Sequence, residues 1–143
     1  MIMNNNLQIA KRLLAENDYT CVLYKNGREY NSRERGVKPL IDFLESGKDF
    51  KGFFAADKTI GAGAAHMYVL LGVNAVFANI ISEEGKKILQ QNKISVFYEN
   101  LVPFIINRKG NGPCPIETAV KGIENPRKAL ETIKNTIRKL DGA

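Results

Sequence analysis

Apolar positions recur at helical spacing near the start of the chain. Leu7, Ala10, Leu13 and Leu14 form one stripe, and Asn6 is placed to cap the helix that carries it. The pattern then changes. Residues 19–25 read as a strand, Asn26-Gly27 as a tight turn whose two positions favour positive φ, and residues 28–30 as a short returning strand. A charged loop over 31–36 precedes a short helix over about 38–46, with Pro39 in its first turn and Gly47 at its exit. The run Gly52-Phe53-Phe54-Ala55-Ala56 is apolar without alternation, which predicts a buried strand.

From there strands and helices alternate. A Gly/Ala-rich turn opens a helix over about 63–71, ended by Gly72, and residues 74–81 form a strand. Ser82 caps the next helix, whose first turn holds Glu83 and Glu84, as the helix dipole favours. Residues 94–98 are a further strand, and 102–106 extend the sheet after a bend at Pro103. A basic, Gly-rich loop over 107–113 leads to a short helix at Pro115. Asn125-Pro126 starts the last helix, striped by Leu130, Ile133, Ile137 and Leu140 and packed on the sheet or at an interface. Short strand–helix–strand connections predict one α/β domain. Its mixed sheet has a β-hairpin at one edge and helices on both faces.

Composition changes this picture little. With 143 residues, 44% hydrophobic and 25% charged, the chain has the size and balance of one globular domain with its own core. No run approaches the ~18 apolar residues of a membrane helix. The first residues have neither the basic region nor the apolar stretch of a signal peptide, so the expectation is a cytoplasmic protein without a membrane partner. Cys21 and Cys114 are far apart, which argues against a disulfide framework, and Cys21 sits in an apolar run as a small core residue.

The net charge of +6 invites a nucleic-acid reading. Much of it, however, lies along the last helix as Arg127, Lys128, Lys134, Arg138 and Lys139, without interleaved aromatics on which bases could stack. A smaller anionic partner suits the chain better.

Two loops carry candidate chemistry. Asp57-Lys58-Thr59-Ile60-Gly61-Ala62-Gly63 joins a buried strand to a helix N-terminus. There, free N–H groups and small residues suit a phosphate, Lys58 adds charge, and Asp57 can orient Lys58 or a sugar hydroxyl. The plainer alternative is that Gly61 and Gly63 are small so that the helix packs tightly, since the pattern matches only part of a dinucleotide fingerprint. The second loop, Asn107-Arg108-Lys109-Gly110-Asn111-Gly112-Pro113-Cys114, also ends at a helix start. There Cys114 would be a thiol of lowered pKa, or part of a phosphate clamp, or a half-buried turn residue. If the strands before these loops run parallel, both loops emerge on one carboxyl rim, where open α/β sheets bind ligands. Ser82, Glu83 and Glu84 reach the same rim.

Arg35-Gly36-Val37-Lys38-Pro39-Leu40, Asp57-Lys58-Thr59-Ile60-Gly61, Leu101-Val102-Pro103-Phe104-Ile105-Ile106-Asn107-Arg108 and Gly112-Pro113-Cys114-Pro115-Ile116-Glu117 resemble a small prokaryotic family, domain of unknown function 1893. The resemblance implies a cytidine-deaminase-like, three-layer α/β/α fold and no agreed activity. Deaminases of that fold carry His-Ala-Glu or Cys-Ala-Glu at one helix start and Pro-Cys-x-x-Cys at the next, which hold zinc and shuttle protons. Here the matching positions read Gly63-Ala64-Ala65 and Ser82-Glu83-Glu84-Gly85, so no metal and no cofactor is expected. A rival register, His66 with Cys114 and Glu117, has the ligand types of an open zinc site but not the spacing.

The leading expectation is a domain for a nucleotide-like or ADP-ribose-like phosphorylated small molecule, held by Asp57, Lys58, Gly61, Gly63, Ser82, Asn107, Arg108 and Gly112. One alternative is an enzyme with Cys114 as nucleophile and Glu117 or Asp57 as acid/base. The other is a non-catalytic assembly protein whose last helix docks on a second copy or another partner.

Overall fold

The computed structural model describes residues 2–141. Along the chain run α1 (Asn5–Glu16), β1 (Cys21–Lys25), β2 (Arg28–Ser32), α2 (Lys38–Glu45), β3 (Phe54–Ile60) and α3 (Ala62–Leu71). They are followed by β4 (Ala75–Ser82), α4 (Glu83–Gln91), β5 (Ser95–Val102), α5 (Pro115–Ala119) and α6 (Pro126–Asp141). The strands form one sheet in the order β2-β1-β3-β4-β5. β1 is antiparallel to both β2 and β3, whereas β3, β4 and β5 are parallel. The mixed sheet, edge hairpin and helices on both faces are as expected. Asn26 and Gly27 both have positive φ (46° and 87°), as the two-residue turn requires.

α1 covers one face, burying Leu7, Ala10 and Leu14 against Val22, Ala56 and Phe77. The other face carries the larger core, in which α3 is central. Its sequence has no charged residue, and only Val69 and Leu70 are half-exposed, so it must be enclosed on every side. β3, α2, α4, α5 and α6 enclose it. α6 therefore packs on α3 rather than on the sheet, through Ala129, Leu130, Ile133 and Ile137, and Leu140 at the end of the stripe is 54% exposed. No described helix is long and apolar enough to cross a membrane.

Several boundaries differ from the sequence pattern. Asn4, not Asn6, caps α1: its side chain accepts the Asn6 N–H at 2.7 Å. The Asn6 side chain reaches the hairpin turn instead, exchanging hydrogen bonds with Asn26. β3 runs on to Ile60, which puts Asp57, Lys58 and Thr59 in the strand and not in a loop. Lys58 and Thr59 are both exposed and break the alternation, but backbone pairing with β4 continues through Thr59↔Ile80 and Ile60↔Ile81. β5 likewise continues past Tyr98, through Glu99-Asn100, to Val102. Residues 103–106 do not extend the sheet, because after Pro103 the chain turns and Ile106 bridges Pro113 instead.

Candidate functional site at the carboxyl rim

The carboxyl ends of the parallel strands form one rim, with Ile60, Ile81 and Leu101 in register. The hairpin adds a further loop to it. Ser32 at the end of β2 pairs with Cys21, and Cys21 pairs with Asp57, so residues 33–37 leave from the same edge.

The chain itself occupies the deep part of this rim. α5 stands over the start of α3, and the Glu117 carboxylate accepts the Ala62 N–H at 2.9 Å. Glu117 is the third residue of α5, a position from which a glutamate commonly reaches back to its own N-cap. Here the N–H of the N-cap, Cys114, is already donated to the Ile105 carbonyl, and the carboxylate crosses to α3. The anion that the β3–α3 turn was expected to attract is thus supplied internally. Gly61 has extended backbone (φ −97°, ψ −172°), so its need for glycine is spatial: a Cβ would overlap the Glu117 carboxylate and crowd Ile105. A Cβ on Gly63 would lie 2.6 Å from Ile116 and 3.3 Å from Ile133. A Cβ on Gly85 would come within 3.1 Å of the Ile60 and Gly61 carbonyls. Close packing at these turns accounts for their small residues.

Ser82 caps α4 as expected, accepting the Gly85 N–H at 3.0 Å, and is fully buried. Asp57 is also buried and faces α3. Its carboxyl accepts Tyr68 O–H at 2.6 Å and Thr59 N–H at 3.1 Å. Burial without a cation pushes its pKa up to about 7, with the hydrogen bonds from Tyr68 and from the Thr59 and Lys58 backbone opposing the rise. Asp57 does not orient Lys58. Neighbours on a strand point to opposite faces, and Lys58 is exposed. Burial holds His66 below the usual imidazole range, opposed by the Ile123 carbonyl and by Glu84. Its Nε2 hydrogen-bonds that carbonyl at 3.0 Å, and its Nδ1 is buried without a partner.

Asn107, Arg108 and Gly112, by contrast, lie on the outer lip. Asn107 and Asn111 clasp the loop: Asn107 Nδ2 donates to Asn111 Oδ1 at 2.9 Å and Asn111 N–H donates to Asn107 Oδ1 at 3.2 Å. The backbone closes it as well, with Asn107 N–H on the Gly112 carbonyl at 2.8 Å. Arg108 extends to the neighbouring loop, its guanidinium 3.7 Å from where a Cβ on Gly36 would stand. Arg35 in that loop, Arg33 stacked on Tyr19, Lys58 and Lys109 add charge. None of these five cations forms an ion pair among the described residues. Sequence reasoning missed Arg33 and Arg35, because only the strand order brings the hairpin end to this rim.

Cys114 is half-buried at the start of α5. The acid/base pairing expected for it is not assembled: Glu117 is turned to Ala62 and Asp57 to Tyr68. The register of His66, Cys114 and Glu117 is not assembled either. Among the described residues no three His, Cys, Asp or Glu side chains are grouped as a metal ion requires.

Comparison with known proteins agrees with this architecture. The chain superimposes on the crystal structure of a DUF1893 family protein, TM1506, from Thermotoga maritima. The TM-score is 0.86 at 23% identity, over 94% of this chain and 92% of the other. This likeness concerns the fold. No curated protein matches the chain. The family model described as TM1506, domain of unknown function (DUF1893), matches residues 9–137, so nearly the whole chain is accounted for, and it belongs to the DUF1893 family.

Proposed function

We propose that this chain binds the phosphate of a nucleotide-like or ADP-ribose-like small molecule on the outer lip of its carboxyl rim, with Arg108 as the principal contact. The observation that carries the reading is the Arg108 guanidinium, set against the Gly36 turn without an acidic partner among the described residues. Arg35 and Lys109 flank it in sequence or in the facing loop, and the Asn107–Asn111 clasp pre-orders the loop that carries it. A planar guanidinium held by an ordered loop matches a phosphate's geometry and loses little freedom on binding. Asp57, Gly63 and Ser82 are buried and offer a ligand almost no surface. Gly61 lies beneath Glu117, and contact falls to Lys58, Asn107, Arg108 and Gly112.

The sheet order β2-β1-β3-β4-β5, with α3 and α4 on one face, supports a cytidine-deaminase-like fold from which the zinc donors are missing. Under that reading the fold serves binding, and hydrolytic deamination is not its chemistry.

Calorimetric titration with AMP, ADP and ADP-ribose, and with adenosine as the uncharged control, tests the proposal. The phosphorylated probes should bind and weaken with salt, and adenosine should not bind. Arg108→Ala should lose about tenfold in affinity, ~1.4 kcal/mol, at an unchanged thermal midpoint. An affinity untouched by Arg108→Ala ends this assignment.

Self-association is a second reading, favoured by the β5 edge. β5 is eight residues long, with Glu99 as its sole charge, and Tyr98 and Leu101 on it are 38% and 41% exposed. The opposite edge, β2, is shorter and carries Arg28 and Glu29. Unguarded edges pair with a second copy. Sedimentation should then show a dimer that Leu101→Lys dissolves. A monomer at high concentration removes this reading.

A further inference from the structure

We propose that the first turn of α3 is a masked anion site, which Glu117 holds closed and which takes a phosphate group that keeps a proton. It is separate from the outer lip and does not depend on Arg108. Two independent observations meet there. An anion already occupies the turn: the Glu117 carboxylate accepts the Ala62 N–H at 2.9 Å, in the space that a Cβ on Gly61 would fill. The N-cap, Gly61, has no side chain to offer, so the start of this ten-residue helix depends on a group from elsewhere. The second observation is His66, fully buried one turn further along the same helix. Its Nε2 lies 3.0 Å from the Ile123 carbonyl, which only accepts, so the proton is on Nε2. Nδ1 is left as a buried lone pair without a partner. Helical side chains lean back over the preceding turn, which carries this ring towards Ala62.

The pair of groups selects the ligand. A carboxylate such as Glu117 satisfies the N–H and leaves Nδ1 empty, and an unmet buried acceptor is costly. An acid phosphate satisfies both, its P–O⁻ accepting from Ala62 and its P–OH donating to His66. A sulfate carries charge without that proton. Glu84, at the start of α4, is near enough to His66 to act on its charge, and it further disfavours a fully ionised guest.

The cover is weakly held. Residues 101–119 include no buried residue, and Glu117, Ile105 and Ile116 are what they set against the Gly61–Gly63 turn. Just beyond them Val120 is 1% exposed, and Ile123 is bonded to His66. The start of α5 can therefore lift while its far end stays anchored. Lifting removes the internal anion and frees the Ala62 N–H, with His66 held in place by Ile123.

The test is an NMR titration of the wild type and Glu117→Ala with inorganic phosphate near neutrality, and with sulfate at matched ionic strength. In Glu117→Ala the Ala62 amide and the His66 ring signals should shift and saturate with phosphate. The wild type should need about tenfold more phosphate, because Glu117 competes, and sulfate should bind Glu117→Ala about tenfold more weakly than phosphate. No saturable Ala62 shift in Glu117→Ala, or an affinity equal to that of the wild type, overturns the proposal. Sulfate binding as tightly as phosphate also overturns it, since the Nδ1 lone pair would then play no part. Shifts confined to residues 107–112 and equal in both proteins would put phosphate on the lip alone, ending this site while leaving the lip reading intact. Should Glu117→Ala not fold, Glu117→Gln decides. It keeps an acceptor and loses the charge, so it should bind phosphate more tightly than the wild type, and equal affinity counts against the masked site.

Discussion

At the scale of single residues, Glu117 and Gly61 are a matched pair. The carboxylate occupies the space that a Cβ on residue 61 would need, and it satisfies an N–H at the start of α3 that would otherwise lack a partner. Glu117→Ala should cost about 1 kcal/mol, in the range for losing a helix cap. Gly61→Ala should cost more in the wild type than in the Glu117→Ala background, because the clash disappears with the carboxylate. Urea denaturation of the four proteins of this cycle measures the coupling, and strict additivity would refute the pairing. The sequence made Gly61 and Glu117 visible as candidates but not as partners. They lie in segments related by no periodicity, and a carboxylate at the start of one helix gives no sign of which other helix it serves. Tyr68 was hidden for the same reason, as one aromatic in an apolar helix.

Among the elements, the segment from Leu101 to Ala119 contains no buried residue, whereas α3 beneath it is buried for its first seven residues. What holds it down is Glu117, Ile105 and Ile116 against the Gly61–Gly63 turn. Amide exchange in this segment should therefore be faster by orders of magnitude than in β3 and β4, as expected where few apolar contacts are made. Comparable protection in both would mean that the segment opens only with the whole fold. Ser82→Ala makes a sharper element-scale prediction. It removes a buried cap from α4 and should cost about 1–2 kcal/mol in chemical denaturation. The capping serine, the turn at Asn26-Gly27 and the exit at Gly72 were all legible because each is local chemistry. The true ends of β3 and β5 were not, since ladder pairing with β4 carries them through polar pairs such as Lys58-Thr59 and Glu99-Asn100.

For the whole molecule, α6 is a structural wall. Ile133 is fully buried against α3, and Ile133→Ala should cost roughly 2–4 kcal/mol, the usual range for a large-to-small core change. A chain ending at Glu124 should lose cooperative unfolding, followed by near-UV dichroism, because α3 would be left with an apolar face in water. Native-like unfolding of that truncated chain would show α6 to be a detachable arm. The sequence by itself determined the class of fold, most helices and strands, caps such as Ser82 and Gly72, and the set of loops that carry charge. Those follow from periodicity and from turn chemistry, which act over a few residues. Tertiary structure alone decided that the deep anion site is filled by Glu117, that Asp57 turns into the core, and that Arg108 meets the Gly36 turn. Each of these is a contact between distant segments, set by strand order and by which face a side chain takes, and no local pattern encodes either.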